Sequence, residues 1–213
     1  MTLKKLCGAK AMERYSEQEV ARVAWRFLRS NSTCTLRFGE NMQGMSYVIA
    51  PSGELIVSAM VAMLQPCDTI MYVPDYGDDC MEMHVSLEQF SEAGADGFLA
   101  DRWQVYHGEP PDMQWAKVNI DAARFHEMFI DGDYLQQSNL LQEDESKLCK
   151  TLNQTYIDKI RELCFIKTSV DVEAPVVVGV DSFGIDIRAT FGIVRVPFDS
   201  QVQSSDDVIA IIT

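Results

Sequence analysis

Basic residues are scarce in this chain. Eighteen Lys and Arg stand against 32 Asp and Glu over 213 residues, a formal net charge of −14. Nucleic acids and anionic lipid surfaces attract proteins through clustered cations, so this balance argues against both partners. Long apolar runs are missing as well, and none approaches the roughly 18 residues that a membrane-spanning helix requires. The opening Met1-Thr-Leu-Lys-Lys-Leu-Cys-Gly8 has the positive start of a signal peptide. Lys10, Glu13 and Arg14 then stand where an apolar stretch would be needed, so no leader is expected. Six cysteines, at 7, 34, 67, 80, 149 and 164, form no C-x-x-C pair and no disulfide-like spacing. That usage fits reduced, buried thiols in a cytoplasmic protein.

The common chemical motifs are also absent. There is no G-x-x-x-x-G-K-[ST] loop, no G-x-G-x-x-G and no G-x-S-x-G, which removes the familiar phosphate cradles and the nucleophile elbow. Only three histidines occur, His84, His107 and His126, none with a second His or Cys at metal-ligand spacing. No metal site is expected. Asp75, Asp78 and Asp79 surround Gly77 but lack the 12-residue calcium-loop pattern and its terminal Glu, so a solvated turn is expected there.

What is present is a core. Hydrophobic residues make up 47% of the chain, and its length suits one ordinary domain with a small second one. Ser16-Glu-Gln-Glu19 is a capping box, and Val20, Val23, Ala24, Phe27 and Leu28 follow at helical spacing. Short strands are predicted at 33–38, 45–50, 54–58, 69–73 and 80–87, the second and third joined by the turn Pro51-Ser-Gly53. In the last of them Met81, Met83, Val85 and Leu87 face one way, with Glu82, His84 and Ser86 opposite. A short helix at 98–107 ends at Gly108-Glu-Pro-Pro111. Two further strands are predicted at 114–121 and 123–130, and the polar stretch 136–144 reads as a linker. One helix at 144–164 follows, with Leu148, Leu152, Tyr156, Ile160 and Leu163 on its apolar face. Strands at 176–180, 185–189 and 192–197 come next, and a last helix opens at Ser204 or Ser205 before Asp206-Asp207. Strand after strand with helices at the margins predicts an α+β protein: an antiparallel barrel domain over 1–138 and a small helix-and-sheet domain over 139–213.

Few side chains offer chemistry. Arg37 is the one cation of the first three strands; it suits either a phosphate or a salt bridge with a neighbouring acid, the latter favoured. His84 is either a pocket acid or base or an exposed strand residue. His107, before Gly108, gains from the helix dipole as a cap. His126 reads as a surface or edge-strand residue. The dense methionines from Met42 to Met83 read as adaptable core packing.

Several stretches together resemble a known family. Arg102-Trp103 with Tyr106-His107-Gly108 is similar to an "R-[WY]-x-x-H-P" helix. The segment Asp112-Met-Gln-Trp-Ala-Lys-Val-Asn-Ile-Asp-Ala-Ala-Arg-Phe125 is similar to the strand that follows it. Gly179-Val-Asp-Ser-Phe-Gly184-Ile-Asp-Ile-Arg188, then Val194-Arg-Val-Pro-Phe198, resemble "G-x-D-x-x-G-x-D-L-R … R-x-x-F" strands. These are patterns of the haem-utilisation (HugZ-type) branch of the pyridoxamine-phosphate-oxidase-like proteins. The resemblance implies an FMN-binding split barrel of Greek-key type, a small C-terminal α/β domain, and a homodimer with its cofactor site at the subunit interface. It nominates Arg37, Ser58 and His84 for the flavin pocket and His107 for haem. Two departures stand out: where the family reads "H-M-N-x-D-H", this chain has Thr151-Leu-Asn-Gln-Thr-Tyr156, without either histidine. After Ser58 it has Ala-Met-Val-Ala-Met-Leu-Gln65, with no His, Asn or cation. Three readings follow from the resemblance: a scaffold or regulatory protein that kept the fold and binds a protein partner, an FMN-dependent oxidoreductase, and a haem-binding or haem-degrading protein.

Overall fold

The computed structural model describes residues 16–110 and 113–213. The signal-like start at residues 1–8, Cys7, Pro111 and Asp112 lie outside them. Two compact units emerge. One comprises the described residues through Trp103 and those from Pro110 to Gln137; the other comprises Gln104–Glu109 and Ser138–Thr213.

The first unit opens with helix α1 (Glu17–Arg29). Its capping box forms as expected, Ser16 N–H donating to Glu19 Oε2 at 2.9 Å and Glu19 N–H to Ser16 Oγ at 3.4 Å. Strands β1 (Thr33–Phe38), β2 (Asn41–Ile49), β3 (Leu55–Ala59), β4 (Thr69–Val73), β5 (Met81–Phe90) and β6 (Gln114–Phe125) pair antiparallel in the order β3-β2-β1-β4-β5-β6. Pairing of β3 with β6 closes them into a six-stranded barrel, so no open edge is left around the ring. A short β7 (Met128–Asp131) is added to the far end of β6. Cys34 and Leu36 of β1, Tyr47 of β2, Met71 of β4 and Met81 and Met83 of β5 are buried. Burial pushes the Cys34 thiol up to about 12. α1 seals the barrel through Phe27, whose ring lies 5.0 Å from that of Phe125, and through the Leu28 carbonyl, which accepts from the Tyr47 hydroxyl at 2.5 Å.

Three sequence expectations need correction here. The segment expected as two strands, 114–121 and 123–130, is one 12-residue strand, a turn at His126-Glu127 and then β7. The period-two alternation does break near Asp121. The cause is a β-bulge: Val85 faces Ile120 while His84 faces Ala122, leaving Asp121 as the extra residue. The bulge changes the phase, so Ile120, Ala123 and Phe125 are all buried. His126 is therefore a turn residue at φ 47°. Next, β2 begins at Asn41, not 45, because β1 and β2 form a hairpin with a two-residue turn at Gly39-Glu40. Met42 within it is 45% exposed, unlike its core-facing counterparts. Last, Arg37 was expected beside an acid, and among the described residues its Nε is buried with no hydrogen-bond partner.

Helix α2 (Gly97–His107) precedes β6. Its first part packs on the barrel: Arg102 Nε donates to the Ile49 carbonyl at 3.0 Å and Trp103 Nε1 to that of Ser46 at 3.3 Å. Lys117 bridges Glu54 at 3.1 Å and Asp96 at 2.9 Å. The hydrogen bond that it donates to Asp96 is the main reason its pKa stands above the ordinary lysine value.

The second unit contains helices α3 (Glu145–Thr155), α4 (Ile157–Thr168) and α5 (Ser205–Ile212) and the strands β8 (Val176–Asp181), β9 (Gly184–Ala189) and β10 (Gly192–Pro197). The strands form a separate antiparallel sheet in the order β10-β9-β8. The single helix expected at 144–164 is two, broken at Tyr156 (φ −121°, ψ 15°). Residues spaced by four drift about 40° per step around a straight helix, so Leu148 and Cys164 would end on nearly opposite faces. The break resets the phase, and Leu148, Leu152, Ile160 and Cys164 share one core with Val177, Ile185 and Val196. Ser204 caps α5 in a second capping box with Asp207.

Candidate functional site

The family-like phrase from Gly179 to Arg188 occupies β8, its turn and β9, and Arg195 of β10 completes it. Arg195 donates from Nη2 to Asp181 Oδ1 at 2.6 Å and from Nη1 to Asp186 Oδ1 at 2.9 Å. The side chains of Arg195 and Asp181 are 9% and 5% exposed. Burial disfavours the charged guanidinium, yet the attraction of the two carboxylates outweighs it and holds the Arg195 pKa above its ordinary value. Asp181 Oδ1 also accepts the Phe183 N–H at 2.7 Å, fixing the β8–β9 turn. Asp186 Oδ2 accepts the Tyr106 hydroxyl at 2.9 Å, and Arg188 donates to the Val105 carbonyl. Both glycines make room for this network. A Cβ at Gly179 would lie 1.8 Å from the Tyr106 hydroxyl, and one at Gly184 would lie 2.5 Å from the Val196 carbonyl and 2.9 Å from Arg195 Nε.

Side chains also complete the free edge of β8. Asn153 on α3 donates to the Val177 carbonyl and accepts the Val177 N–H, each at 2.8 Å. Glu145 Oε1 accepts the Val180 N–H at 3.1 Å, and Asn139 donates to the Val180 carbonyl at 2.8 Å. Sequence reasoning took Asn139 for linker; it is 2% exposed and does a strand's pairing. Gln136 acts alike in the barrel unit, filling the gap in the β6 edge at Val118 and Ile120. A polar stretch whose amides recur three apart was the only available signal, and it is weak. Thr151, at a position where the resembled family has histidine, lines a cavity of about 400 Å³ with Asp144, Lys147, Leu148, Ser205 and Ile209. Tyr156, at the other such position, packs partly buried against the second core.

The nominated flavin residues fall in two places. Arg37 is cross-strand from Ile70, and Ile70 from His84, so Arg37 and His84 share one row two strands apart. At strand spacing their backbones are about 10 Å apart. Tyr72 lies on the same face. Burial raises its pKa first, and the Arg37 charge partly offsets that. His84 is 62% exposed, with Nε2 4.0 Å from Glu82 Oε1. Ser58 sits elsewhere, on β3 opposite Trp115 of β6. Trp115 in turn stacks edge-on with Trp103 at 5.6 Å. Ser58 Oγ is buried without a partner. His107 ends α2, its ring 6.1 Å from that of Tyr106. No group of three His, Cys, Asp or Glu poised for a metal occurs among the described residues, and no helix among them is long and apolar enough to cross a membrane.

A flavin mononucleotide phosphate carries about two negative charges and needs convergent donors. Arg37, Ser58 and His84 do not converge: one guanidinium stands on β1, one exposed imidazole two strands away and one hydroxyl under a tryptophan pair. These three residues do not fit a single cradle for that group.

No protein-family model and no curated protein matches the chain. Among solved structures it is similar to a protein of unknown function from Agrobacterium tumefaciens, with TM-score 0.67 at 14% identity, covering 93% of this chain and 97% of that one. A haem-binding protein from Mycobacterium smegmatis aligns over 93% of this chain and 95% of that one, at TM-score 0.44 and 14% identity. The first likeness shows a shared fold: a closed antiparallel barrel with helices and a separate small sheet.

Proposed function

We propose that the chain is a divergent split-barrel protein that acts as a scaffold or regulatory subunit by binding another protein, with a barrel domain over 1–138 and a small domain over 139–213. One observation carries this reading. Asn153, Asp181, Asp186, Arg188 and Arg195, which belong to the family-like stretches, are engaged with backbone or with one another. Residues so engaged preserve a fold without reserving a group for substrate. The homodimer implied by the resemblance belongs to the same proposal. Freshly purified protein should be colourless, and calorimetry with added FMN should give no heat. Stoichiometric flavin, seen as visible flavin absorbance and as added mass in the native mass spectrum, overturns the reading.

The second reading is an FMN-dependent oxidoreductase, supported by Arg37, whose buried Nε has no partner in the row that carries His84. On this reading FMN binds and Arg37→Ala weakens it at least tenfold, about 1.4 kcal/mol. Unchanged affinity in Arg37→Ala removes that role.

A further inference from the structure

Among the described residues, the large exposed apolar side chains include one consecutive pair, Phe165 and Ile166 of α4, at 57% and 65% exposure. Tyr76, Phe98, Phe129 and Phe191 each stand without an exposed apolar neighbour in sequence. Opposite the pair, Ile160 and Cys164 are buried in the core of the second unit, so the backbone that presents Phe165 and Ile166 is held in place.

The charges around the pair are one-sided. Every cation of α4 is already engaged: Lys159 donates to the Thr213 carbonyl at 2.7 Å, Arg161 pairs with Asp171 at 3.0 Å and Lys167 with Asp199 at 2.7 Å. Asp158 and Glu162 are exposed and form no ion pair among the described residues. Glu162 precedes Phe165 and Ile166 by three and four residues and follows Asp158 by four, which places all of them along one side of the helix. That side is apolar at one end and carries two carboxylates without an ion pair at the other.

We propose that this face of α4 docks a basic amphipathic segment of another protein, with apolar side chains covering Phe165 and Ile166 and Lys or Arg one turn away meeting Glu162 and Asp158. The inference rests on the interaction-protein reading and specifies the chemistry of the partner. Complementary charge excludes an acidic segment and sets the register of a basic one.

The test uses the full chain and a fluorescein-labelled amphipathic Leu/Lys helix of about 14 residues, followed by fluorescence anisotropy. The peptide should bind, and a Leu/Glu peptide of the same pattern should not. Phe165→Ala with Ile166→Ala, and separately Glu162→Lys, should each weaken binding about tenfold, while Phe191→Ala leaves it unchanged. All these side chains are exposed, and circular dichroism verifies that the folds match. Equal affinity in every variant would show attraction to the overall charge alone and overturns the proposal, as does failure of the peptide to bind. A wild-type dimer in sedimentation that Ile166→Asp converts to monomer assigns the face to a second copy and also overturns it. Detection of bound flavin bears on the function reading and leaves these outcomes legible.

Discussion

The hydroxyl of Tyr106 occupies the space that a side chain at residue 179 would fill: a Cβ on Gly179 would lie 1.8 Å from that oxygen. The same hydroxyl donates to Asp186 at 2.9 Å, so a residue with no side chain and a residue with a long one are two halves of one arrangement.

Their coupling has a sign that can be measured. Gly179→Ala should destabilise the protein by about 1–3 kcal/mol, the range for overpacking a dense site. Tyr106→Phe alone should cost about 1.5–3 kcal/mol through the lost bond to a carboxylate. In the Gly179→Ala background the hydroxyl is the clashing atom, so removing it should cost far less or restore stability. A double-mutant cycle by urea unfolding reads this directly. Additive costs would show that the hydroxyl and Gly179 are not in contact.

Arg195 should be the least replaceable residue of the second unit. Removing one member of a buried charge group leaves the others desolvated and unpaired. Arg195→Ala should cost about 3–5 kcal/mol, while Arg195→Met combined with Asp181→Asn and Asp186→Asn should cost much less. Circular dichroism is the appropriate probe, because Trp25, Trp103 and Trp115 all belong to the barrel unit. A cost below about 1 kcal/mol for Arg195→Ala would place the network on the level of a surface ion pair.

Periodicity made much of the fold legible. The capping box at Ser16, the alternation from Met81 to Val85 and the strands around Gly184 and Gly192 all appear where local pattern puts them. Pattern failed where phase changes inside an element. The bulge at Asp121 looks like a strand end, and the break at Tyr156 is hidden in a sequence whose apolar residues recur every fourth position. Ring closure between β3 and β6 is non-local and leaves no local mark. The site was harder still. Asp181, Asp186 and Arg188 have the residue types of a reactive centre, and only the folded structure shows that Arg195, Tyr106 and the Val105 carbonyl already occupy them. Asn139 and Gln136, polar and loop-like in sequence, pair strand edges that the sequence does not show to be open.

The helix caps predict an acid limit to stability. In α1, Glu19 accepts the backbone N–H and the hydroxyl of Ser16, and these bonds hold its pKa below the ordinary carboxylate value. In α5, Asp207 is held down first by the Gln203 N–H and then by Ser204. A carboxyl whose folded pKa lies below its unfolded one binds fewer protons when folded. Its contribution is present above the unfolded value, near 4, and is lost as the pH falls through the folded one. The urea midpoint should therefore drop on acidification from about pH 5 to pH 3. In Glu19→Gln with Asp207→Asn that drop should be shallower, with the remaining slope including Asp75, which its bonds from Thr35 and the Tyr76 N–H also hold down. Parallel midpoint curves for the two proteins would mean that these caps are as strong protonated as ionised.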